Sequence, residues 1–335
     1  MTAPVVTVFG GTGFIGRHVV RRLARRGVRI RVVTRRADRA LYLKPLGDVG
    51  QIVPIVSRLG DNAGLVRAIE GADWVVNLVG ILTERPGQKF EDVHARLPGR
   101  IAAIAKAAGV KRIVHLSSIG AAPDASSAYA RSKAAGERAL REVFPESTVL
   151  RPSVVFGPED GFFNMLGSIS RVAPALPIFF SGLPRIELDG IFPRPNFAKA
   201  GATRMQPVYV GDVADAALAA LDDPKTAGQT YELGGPAIYS YRGLVELALQ
   251  VIERHRCLVP VPFFALEAAA FVASAIPFSP LTRDIPRLMK AHNVVGSGAL
   301  GLADLGVTPT ALELVLPTYL HVYRAGRVSR RATQA

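Results

Sequence analysis

The stretch Val5-Val6-Thr7-Val8-Phe9-Gly10-Gly11-Thr12-Gly13-Phe14-Ile15-Gly16 decides the fold of this chain. Its apolar half predicts a buried strand, and a helical pattern over residues 15–26 follows the glycines. Gly10 permits a tight turn, Gly13 lets the backbone approach a pyrophosphate, and Gly16 lets the helix pack close to the strand. The helix N-terminus directs unpaired N–H groups at the phosphates. We therefore predict a dinucleotide site formed by Gly10, Thr12, Gly13, Phe14, Ile15 and Gly16.

The second predicted strand, residues 29–34, ends in Arg35-Arg36 and carries no acid there. An Asp or Glu at this position would bind the ribose 2′-hydroxyl of NAD, whereas an arginine can pair with the 2′-phosphate of NADP. The sequence thus predicts that the chain binds NADPH (NADP) as its cofactor, through Arg35 and Arg36, and that it binds NADH more weakly. The alternative, that both arginines only extend a basic surface, stays open.

Short apolar runs alternate with helical patterns through the first half of the chain. The predicted strands are 5–9, 29–34, 51–56, 74–79, 112–117 and 147–151, and the predicted helices are 15–26, 62–70, 98–108 and 128–143. This alternation predicts an α/β fold, a Rossmann-type doubly wound parallel sheet with a smaller C-terminal α/β lobe. Further elements are expected at 207–210, 212–221 and 230–233.

The expected domains follow from this pattern. Residues 1–156 form the dinucleotide-binding domain, whose core continues through 207–235. Residues 157–206 and 236–328 form the smaller, partner-docking lobe, and 329–335 form a basic tail. Prolines in 157–206 are expected to break any long element there and leave it rich in loops.

Composition excludes several classes of protein. The 335 residues are 49% hydrophobic and 20% charged, which is typical of a globular chain. The single cysteine, Cys257, excludes an internal disulfide, and six scattered histidines lack ligand spacing, so no metal is predicted. The net charge of +14 favours acidic partners, although a solvated basic surface explains it equally well. No aromatics interleave with the arginines, so nucleic acid is not predicted as a partner.

The most apolar segment is 258–281, whose uninterrupted part, 263–276, is shorter than the roughly 20 residues that span a bilayer. We predict no transmembrane helix, and the N-terminus shows no signal-peptide pattern. A buried helix is the favoured interpretation of this segment, and an interfacial or subunit-docking helix is the alternative.

A tyrosine and a lysine lie four residues apart on one predicted helix, as Tyr129 and Lys133. The lysine, with a cofactor ribose, can lower the tyrosine pKa so that the phenol exchanges a proton as hydride moves. Ser117 and Ser118 close the strand just upstream, and a serine hydroxyl can hold a substrate oxygen. The crevice should also be lined by the end of the fourth strand, Asn77, Leu78, Val79 and Gly80.

Five motifs follow one another along the chain, and their order is informative: GGTGFIG at 10–16, NLVG at 77–80, LSS at 116–118, YARSK at 129–133 and LRPSVVFGP at 150–158. They resemble the short-chain dehydrogenase/reductase superfamily, in its extended or atypical branch, over roughly residues 5–235. The resemblance implies a triad of Ser118, Tyr129 and Lys133. It also implies that Ser117, Tyr129 and Lys133 contact the cofactor and that Arg151, Pro152 and Ser153 line its nicotinamide end. One departure is Ser57-Arg58 in place of the usual Gly-Asp after the third strand, which removes the aspartate that commonly meets adenine.

Further segments, 43–51, 90–94, 206–213, 281–284 and 304–307, resemble a narrower family, the NADPH-binding accessory subunits of respiratory complex I named alpha subcomplex subunit nine. That resemblance implies a nucleotide held for structure. It implies other peripheral-arm subunits near the quinone site as partners, and an anionic lipid surface as a further one. The expected location is peripheral, on the cytoplasmic face of a bacterial inner membrane or the matrix side of the mitochondrial one. The intact Ser118-Tyr129-Lys133 set keeps an alternative open, an active NAD(P)-dependent reductase, epimerase or dehydratase of a small or isoprenoid-like substrate.

Overall fold

The computed structural model describes residues 3–182, 185–189, 192–197, 199–274 and 282–324, and fifteen strands lie within these ranges. They are β1 Val5–Phe9, β2 Arg29–Thr34, β3 Ile52–Val56, β4 Trp74–Asn77, β5 Arg112–Leu116, β6 Thr148–Pro152, β7 Val155–Phe156, β8 Ala175–Phe180, β9 Arg185–Asp189, β10 Phe192–Asn196, β11 Arg204–Met205, β12 Val208–Tyr209, β13 Thr230–Leu233, β14 Tyr239–Ser240 and β15 Cys257–Pro262.

The helices fall between these strands, and a wide π-helical turn, Glu91–Arg96, runs directly into the third of them. They are α1 Phe14–Arg25, α2 Asn62–Ile69, α3 Leu97–Ala107, α4 Ala128–Val143, α5 Phe162–Val172, α6 Val210–Asp222, α7 Tyr241–Val251, α8 Phe263–Ala273, α9 Ile285–Lys290 and α10 Leu312–Leu320. Short 3₁₀ segments occupy Ala37–Leu46, Pro224–Thr226, Ala303–Leu305 and His321–Tyr323.

One seven-stranded sheet organises the first half of the chain, in the order β13-β6-β5-β4-β1-β2-β3 with every pair parallel. Alternate residues of β1 enter two separate cores. Val6 and Val8 pack with α1 and α6, whereas Val5 and Phe9 pack with α2, α3 and α4. Helices therefore cover both faces, and the predicted doubly wound sheet is confirmed. The strand order reverses between β1 and β4, which places the ligand crevice at the carboxyl ends of these strands.

A third core forms the smaller lobe, where α5, α7 and α10 pack against the parallel pair β8 and β15. The expectation that prolines leave residues 157–206 without a long element is wrong, because α5 runs for 11 residues within it. Pro158 precedes α5 and the other prolines of this region lie beyond its C-terminus, so they bound the helix instead of breaking it.

The apolar segment near residue 263 is a helix, α8, but the favoured interpretation of it as buried is wrong. Only Phe263 and Ala270 of α8 are buried, whereas Phe264, Phe271 and Val272 are 72%, 60% and 67% exposed. Among the described residues, the Arg283 guanidinium meets this face, 4.2 Å from the ring centre of Phe271. Residues 275–281 and the predicted basic tail, 329–335, lie outside the described residues. Within the ranges that the structure does describe, no helix has the length and apolar character needed to cross a bilayer.

Candidate functional site

The glycine loop between β1 and α1 leaves no room for side chains at two positions. Gly10 has a φ of +77°, and a Cβ placed on it would lie 2.9 Å from the backbone carbon of Leu78. A Cβ on Gly16 would lie 2.2 Å from the carbonyl oxygen of Gly10. At Gly13 a Cβ would meet only that same oxygen, at 3.2 Å, so this glycine is needed less for packing than for access. No side chain caps α1, which begins directly after Gly13.

The loop is covered from one side by the segment Ala37–Leu46. The Tyr42 hydroxyl donates to the carbonyl oxygen of Thr12 at 2.9 Å, and the guanidinium of Arg17 lies 5.1 Å from the centre of the Tyr42 ring. The other predicted loop residues lie close by, since Phe14 meets the His18 ring edge-on and Ile15 packs on the core. No sequence pattern indicated Tyr42, because its contact with Thr12 spans 30 residues.

The two arginines after β2 differ in their surroundings. Arg36 forms a two-pronged ion pair with Asp38, with N–O distances of 3.1 and 2.7 Å. Asp38 raises the pKa of Arg36, and the pKa of Asp38 is lowered in turn. Arg35 is exposed, and no carboxylate pairs with it among the described residues. Arg35 is therefore the arginine that is free to meet an added phosphate.

The end of β4 connects the glycine loop to the tyrosine helix. Asn77 accepts the N–H of Val79 at 3.2 Å and lies 3.1 Å from Nδ1 of the buried His115. The backbone of Leu78 faces Gly10, as described above. A Cβ on Gly80 would lie 3.4 Å from Nζ of Lys133. The predicted Asn77–Gly80 segment thus lies between the phosphate loop and the lysine.

The structure brings Ser118, Tyr129 and Lys133 together at the carboxyl end of β5. The Lys133 ammonium donates to the carbonyl oxygen of Leu116 at 3.0 Å. Burial lowers the pKa of Lys133 to about 8, and the Glu137 carboxylate opposes that shift. Burial raises the pKa of Tyr129 above its ordinary value.

Two hydroxyls at this edge of the sheet have no hydrogen-bond partner among the described residues, those of Ser117 and Ser118. A buried polar atom without a partner costs free energy unless a ligand or water satisfies it. The two hydroxyls, the uncapped N-terminus of α1 and the space left beside Gly13 all fit a dinucleotide that lies across β1, β4 and β5.

His94, on the π-helical turn, is a site residue that the sequence pattern did not single out. Its Nε2 accepts the N–H of Ile81 at 2.9 Å, so the ring proton lies on Nδ1, 3.0 Å from the Ser132 hydroxyl. That hydroxyl donates to the carbonyl oxygen of Tyr129 at 2.7 Å. Burial and the charge of Lys133 lower the pKa of His94 to about 3. The ring centres of Phe90 and Tyr129 lie 5.2 and 5.3 Å away, so His94 fixes the tyrosine through packing and through Ser132.

The predicted nicotinamide end is engaged by the smaller lobe. The Ser153 hydroxyl donates to the carbonyl oxygen of Asn293 at 3.0 Å, and the carbonyl of Pro152 accepts the N–H of Ile119 at 3.1 Å. Arg151 pairs with Glu137 of α4 at 2.6 Å and lies 3.7 Å from Glu232 of β13. Pro152 and Ser153 therefore reach the site mainly through their backbone.

No group of three His, Cys, Asp or Glu side chains within the described part of the chain is arranged to hold a metal ion. His94 and His115 are instead buried near Lys133, and burial with that charge holds the pKa of His115 well below its ordinary value.

Comparison with known proteins places this geometry in a family. The model of the NAD dependent epimerase/dehydratase family matches residues 6–234. The NADH dehydrogenase [ubiquinone] 1 alpha subcomplex subunit 9 of Mus musculus is 34% identical, over 96% of this chain and 81% of that protein. The NADH-ubiquinone oxidoreductase 40 kDa subunit of Neurospora crassa is 31% identical, over 95% of this chain and 79% of its own length.

Among solved structures, the UDP-glucose 4-epimerase of Thermus thermophilus in complex with NAD superposes with a TM-score of 0.64, at 20% identity over 96% of this chain and 99% of that one. This likeness shows the fold. The near full-length matches to the mitochondrial subunits extend into residues 236–328 of the smaller lobe, which lie beyond the end of the family model. The chain therefore belongs to the NAD dependent epimerase/dehydratase family and, within it, to the family of the alpha subcomplex subunit 9 of NADH dehydrogenase.

Proposed function

We propose that the chain is an accessory subunit or assembly factor of respiratory complex I, NADH:ubiquinone oxidoreductase, and that it holds NADP(H) as a structural ligand. One observation carries the proposal, the similarity to complex I subunits from animals and fungi over at least 95% of the chain. A shared nucleotide fold alone would not assign this role, because the same fold serves many functions. The smaller lobe, where such relatives also match, is the part that we assign to partner docking, with the domain boundaries predicted above.

Arg35 supports the choice of NADPH over NADH. The carboxyl end of β2 offers an unpaired guanidinium to a 2′-phosphate, and no acid follows Thr34 directly to bind a 2′-hydroxyl. A charge-assisted, two-pronged contact of this kind is among the stronger hydrogen bonds in proteins. In our proposal, Gly10, Gly13 and the start of α1 hold the pyrophosphate, and Ser117, Tyr129 and Lys133 meet the nicotinamide ribose.

Crowding around Tyr129 supports a nucleotide that is held and not turned over. Its ring is flanked by Phe90 and His94, with ring centres 5.9 and 5.3 Å away. A cavity of about 550 Å³ lies beside α4 and is lined by neither Ser118, Tyr129 nor Lys133.

The exposed apolar face of α8 supports a peripheral location against the membrane arm of the complex, near the quinone site, on the cytoplasmic or matrix face. Lipid headgroups and partner subunits are both surfaces that such a face can meet. The net charge of +14 adds attraction to an anionic surface at short range.

The test is to isolate the native protein from membranes under mild detergent. We expect it to co-fractionate with NADH:quinone oxidoreductase activity and to release, on denaturation, a nucleotide that carries a 2′-phosphate at about one per chain. A chain that never fractionates with the complex, or that releases NAD(H), would contradict the corresponding half of the proposal.

The alternative is an active NAD(P)-dependent reductase, epimerase or dehydratase that uses Ser118, Tyr129 and Lys133. The lowered pKa of Lys133, about 8, and the unpartnered Ser118 hydroxyl favour it. Tyr129→Phe separates the two functions, because it removes the proton donor and keeps the packed ring. Normal complex I levels and activity with Tyr129→Phe would support a structural nucleotide, and loss of a defined product would support turnover.

A further inference from the structure

A cavity of about 550 Å³ lies between α4, the turn before α3 and the start of α9. Its wall on α4 includes Ala128, Arg131 and Ser132, which lie on a different face of the helix from Tyr129 and Lys133. Residues 282–287 of the smaller lobe close the opposite side. The cavity is therefore separate from the nucleotide crevice, although one helix borders both.

Three arginines line this cavity, Arg131, Arg283 and Arg287. Arg131 donates to two backbone carbonyls just before α4, and Arg283 donates to the Ser274 hydroxyl. Across the described residues, no carboxylate oxygen lies within 4.0 Å of any of these three guanidinium groups. The adjoining residues 275–281 contain no Asp or Glu either.

The acids that line the same cavity are already engaged. Glu84 accepts the N–H of Phe90 at 2.8 Å and lies 3.7 Å from Lys89, and Glu91 pairs with Arg96 at 3.1 Å. Asp284 turns its carboxylate to the N-terminus of α4. The charge left unpaired in the cavity is therefore positive, which suits an anionic ligand.

An apolar surface continues from this cavity. The guanidinium of Arg283 lies 4.2 Å from the ring centre of Phe271, on the exposed face of α8 that also presents Phe264 and Val272. At the edge of the cavity, the buried Thr282 hydroxyl has no partner among the described residues. A ligand that matches both regions carries an anionic head and an apolar chain.

We propose that this cavity binds the phosphate group of an acidic phospholipid, whose acyl chains lie along the exposed face of α8. Arginines bind phosphate oxygens in two-pronged hydrogen bonds, and the Thr282 hydroxyl adds a further donor. A free phosphate would satisfy the arginines and leave the apolar face uncovered. The choice of a lipid as the source rests on the proposed membrane-side location, whereas the anion site rests on the arginines alone.

The experiment measures co-sedimentation of the full chain with vesicles of phosphatidylcholine containing phosphatidylglycerol, at physiological ionic strength, and with vesicles of phosphatidylcholine alone. The site variant is Arg283→Gln with Arg287→Gln. Its matched control is Arg21→Gln with Arg25→Gln, which removes the same charge from an exposed face of α1. We expect the site variant to bind anionic vesicles at least about tenfold more weakly and the control less than about threefold. Both variants should keep the wild-type melting temperature.

Equal losses in the two variants would show diffuse attraction to a basic protein and overturn the lipid site, as would undiminished vesicle binding by the site variant. Inorganic phosphate provides the second probe. Phosphate binding to the wild-type chain that is lost with the same arginines, together with vesicle binding that is unchanged by their loss, would show that the site serves a soluble phosphate. That result would refute the lipid. NADPH affinity, measured on the same samples, keeps this result distinct from a failure of the proposed function.

Discussion

The carboxylate of Asp284 accepts hydrogen bonds from the backbone N–H groups of Ala128 and Tyr129, at 2.8 and 2.9 Å. The Ser127 hydroxyl takes the next N–H, that of Ala130, at 3.1 Å. A buried carboxylate from the smaller lobe thus completes the N-terminal cap of the helix that carries the tyrosine, where the helix dipole also favours negative charge. The smaller lobe is therefore joined to the helix that carries Tyr129.

Replacing Asp284 tests this connection. Asp284→Ala leaves two helix N–H groups without acceptors, and we expect it to lower the free energy of unfolding by about 1–2 kcal/mol and to weaken NADPH binding. Urea unfolding and a fluorescence titration measure the two effects. Asp61→Ala is the control, since Asp61 also precedes a helix but makes no side-chain cap there. Similar losses in both variants would show that the cap is not special to Asp284.

The selection of the 2′-phosphate should depend mainly on Arg35. Arg35→Gln should weaken NADPH binding by about tenfold or more and leave NADH binding nearly unchanged, because it removes a charge-assisted contact. Arg36→Gln should have a smaller effect, since Asp38 already pairs with that guanidinium. Arg29→Gln, at the opposite end of β2, controls for the loss of net charge. Equal NADPH losses in all three variants would contradict direct contact with the phosphate.

Gly13 allows binding to be separated from folding. A Cβ at Gly13 meets a single oxygen at 3.2 Å, so Gly13→Ala should fold with a change of less than about 1 kcal/mol. The added methyl group lies where the pyrophosphate approaches, and we expect at least about a tenfold loss of NADPH affinity by titration calorimetry. Gly60→Ala, where a Cβ meets nothing within 4 Å, should change neither quantity. Unaltered binding by Gly13→Ala would place the pyrophosphate elsewhere.

Acid should destabilise the chain partly through His94. Its pKa is about 3 in the folded chain against an ordinary 6.5, so the unfolded chain binds the proton more readily between these values. The contribution of His94 is fully present above pH 6.5 and is lost as pH falls toward 3. Between pH 8 and 5 this amounts to about 2 kcal/mol.

The measurement for His94 is the difference in the free energy of unfolding between pH 8 and 5. We expect His94→Gln to lose about 2 kcal/mol less than the wild type over that interval. His255→Gln, at an exposed histidine, should follow the wild-type curve. A His94→Gln curve parallel to the wild type would refute the assigned shift.

The sequence by itself determined the nucleotide fold and its phosphate loop. The alternation of strands and helices and the glycine spacing at positions 10, 13 and 16 are both short-range patterns. They can therefore be recognised without knowledge of tertiary contacts. The tyrosine and lysine on α4 follow from helical spacing for the same reason. The position of the two arginines directly after β2 could also be predicted, because the end of a strand is set by the residues next to it in sequence.

Only the tertiary structure decided what surrounds these elements. The cap from Asp284 spans 155 residues to Tyr129, and the hydrogen bond that His94 donates to Ser132 spans 38 residues. The exposure of α8 likewise depends on what packs over it, which an evenly apolar sequence cannot specify. Long-range contacts of this kind are set by how the two lobes meet. The difference between Arg35 and Arg36 has another cause. The sequence supplies both charges, and only the folded chain shows that Arg36 is the one paired with Asp38.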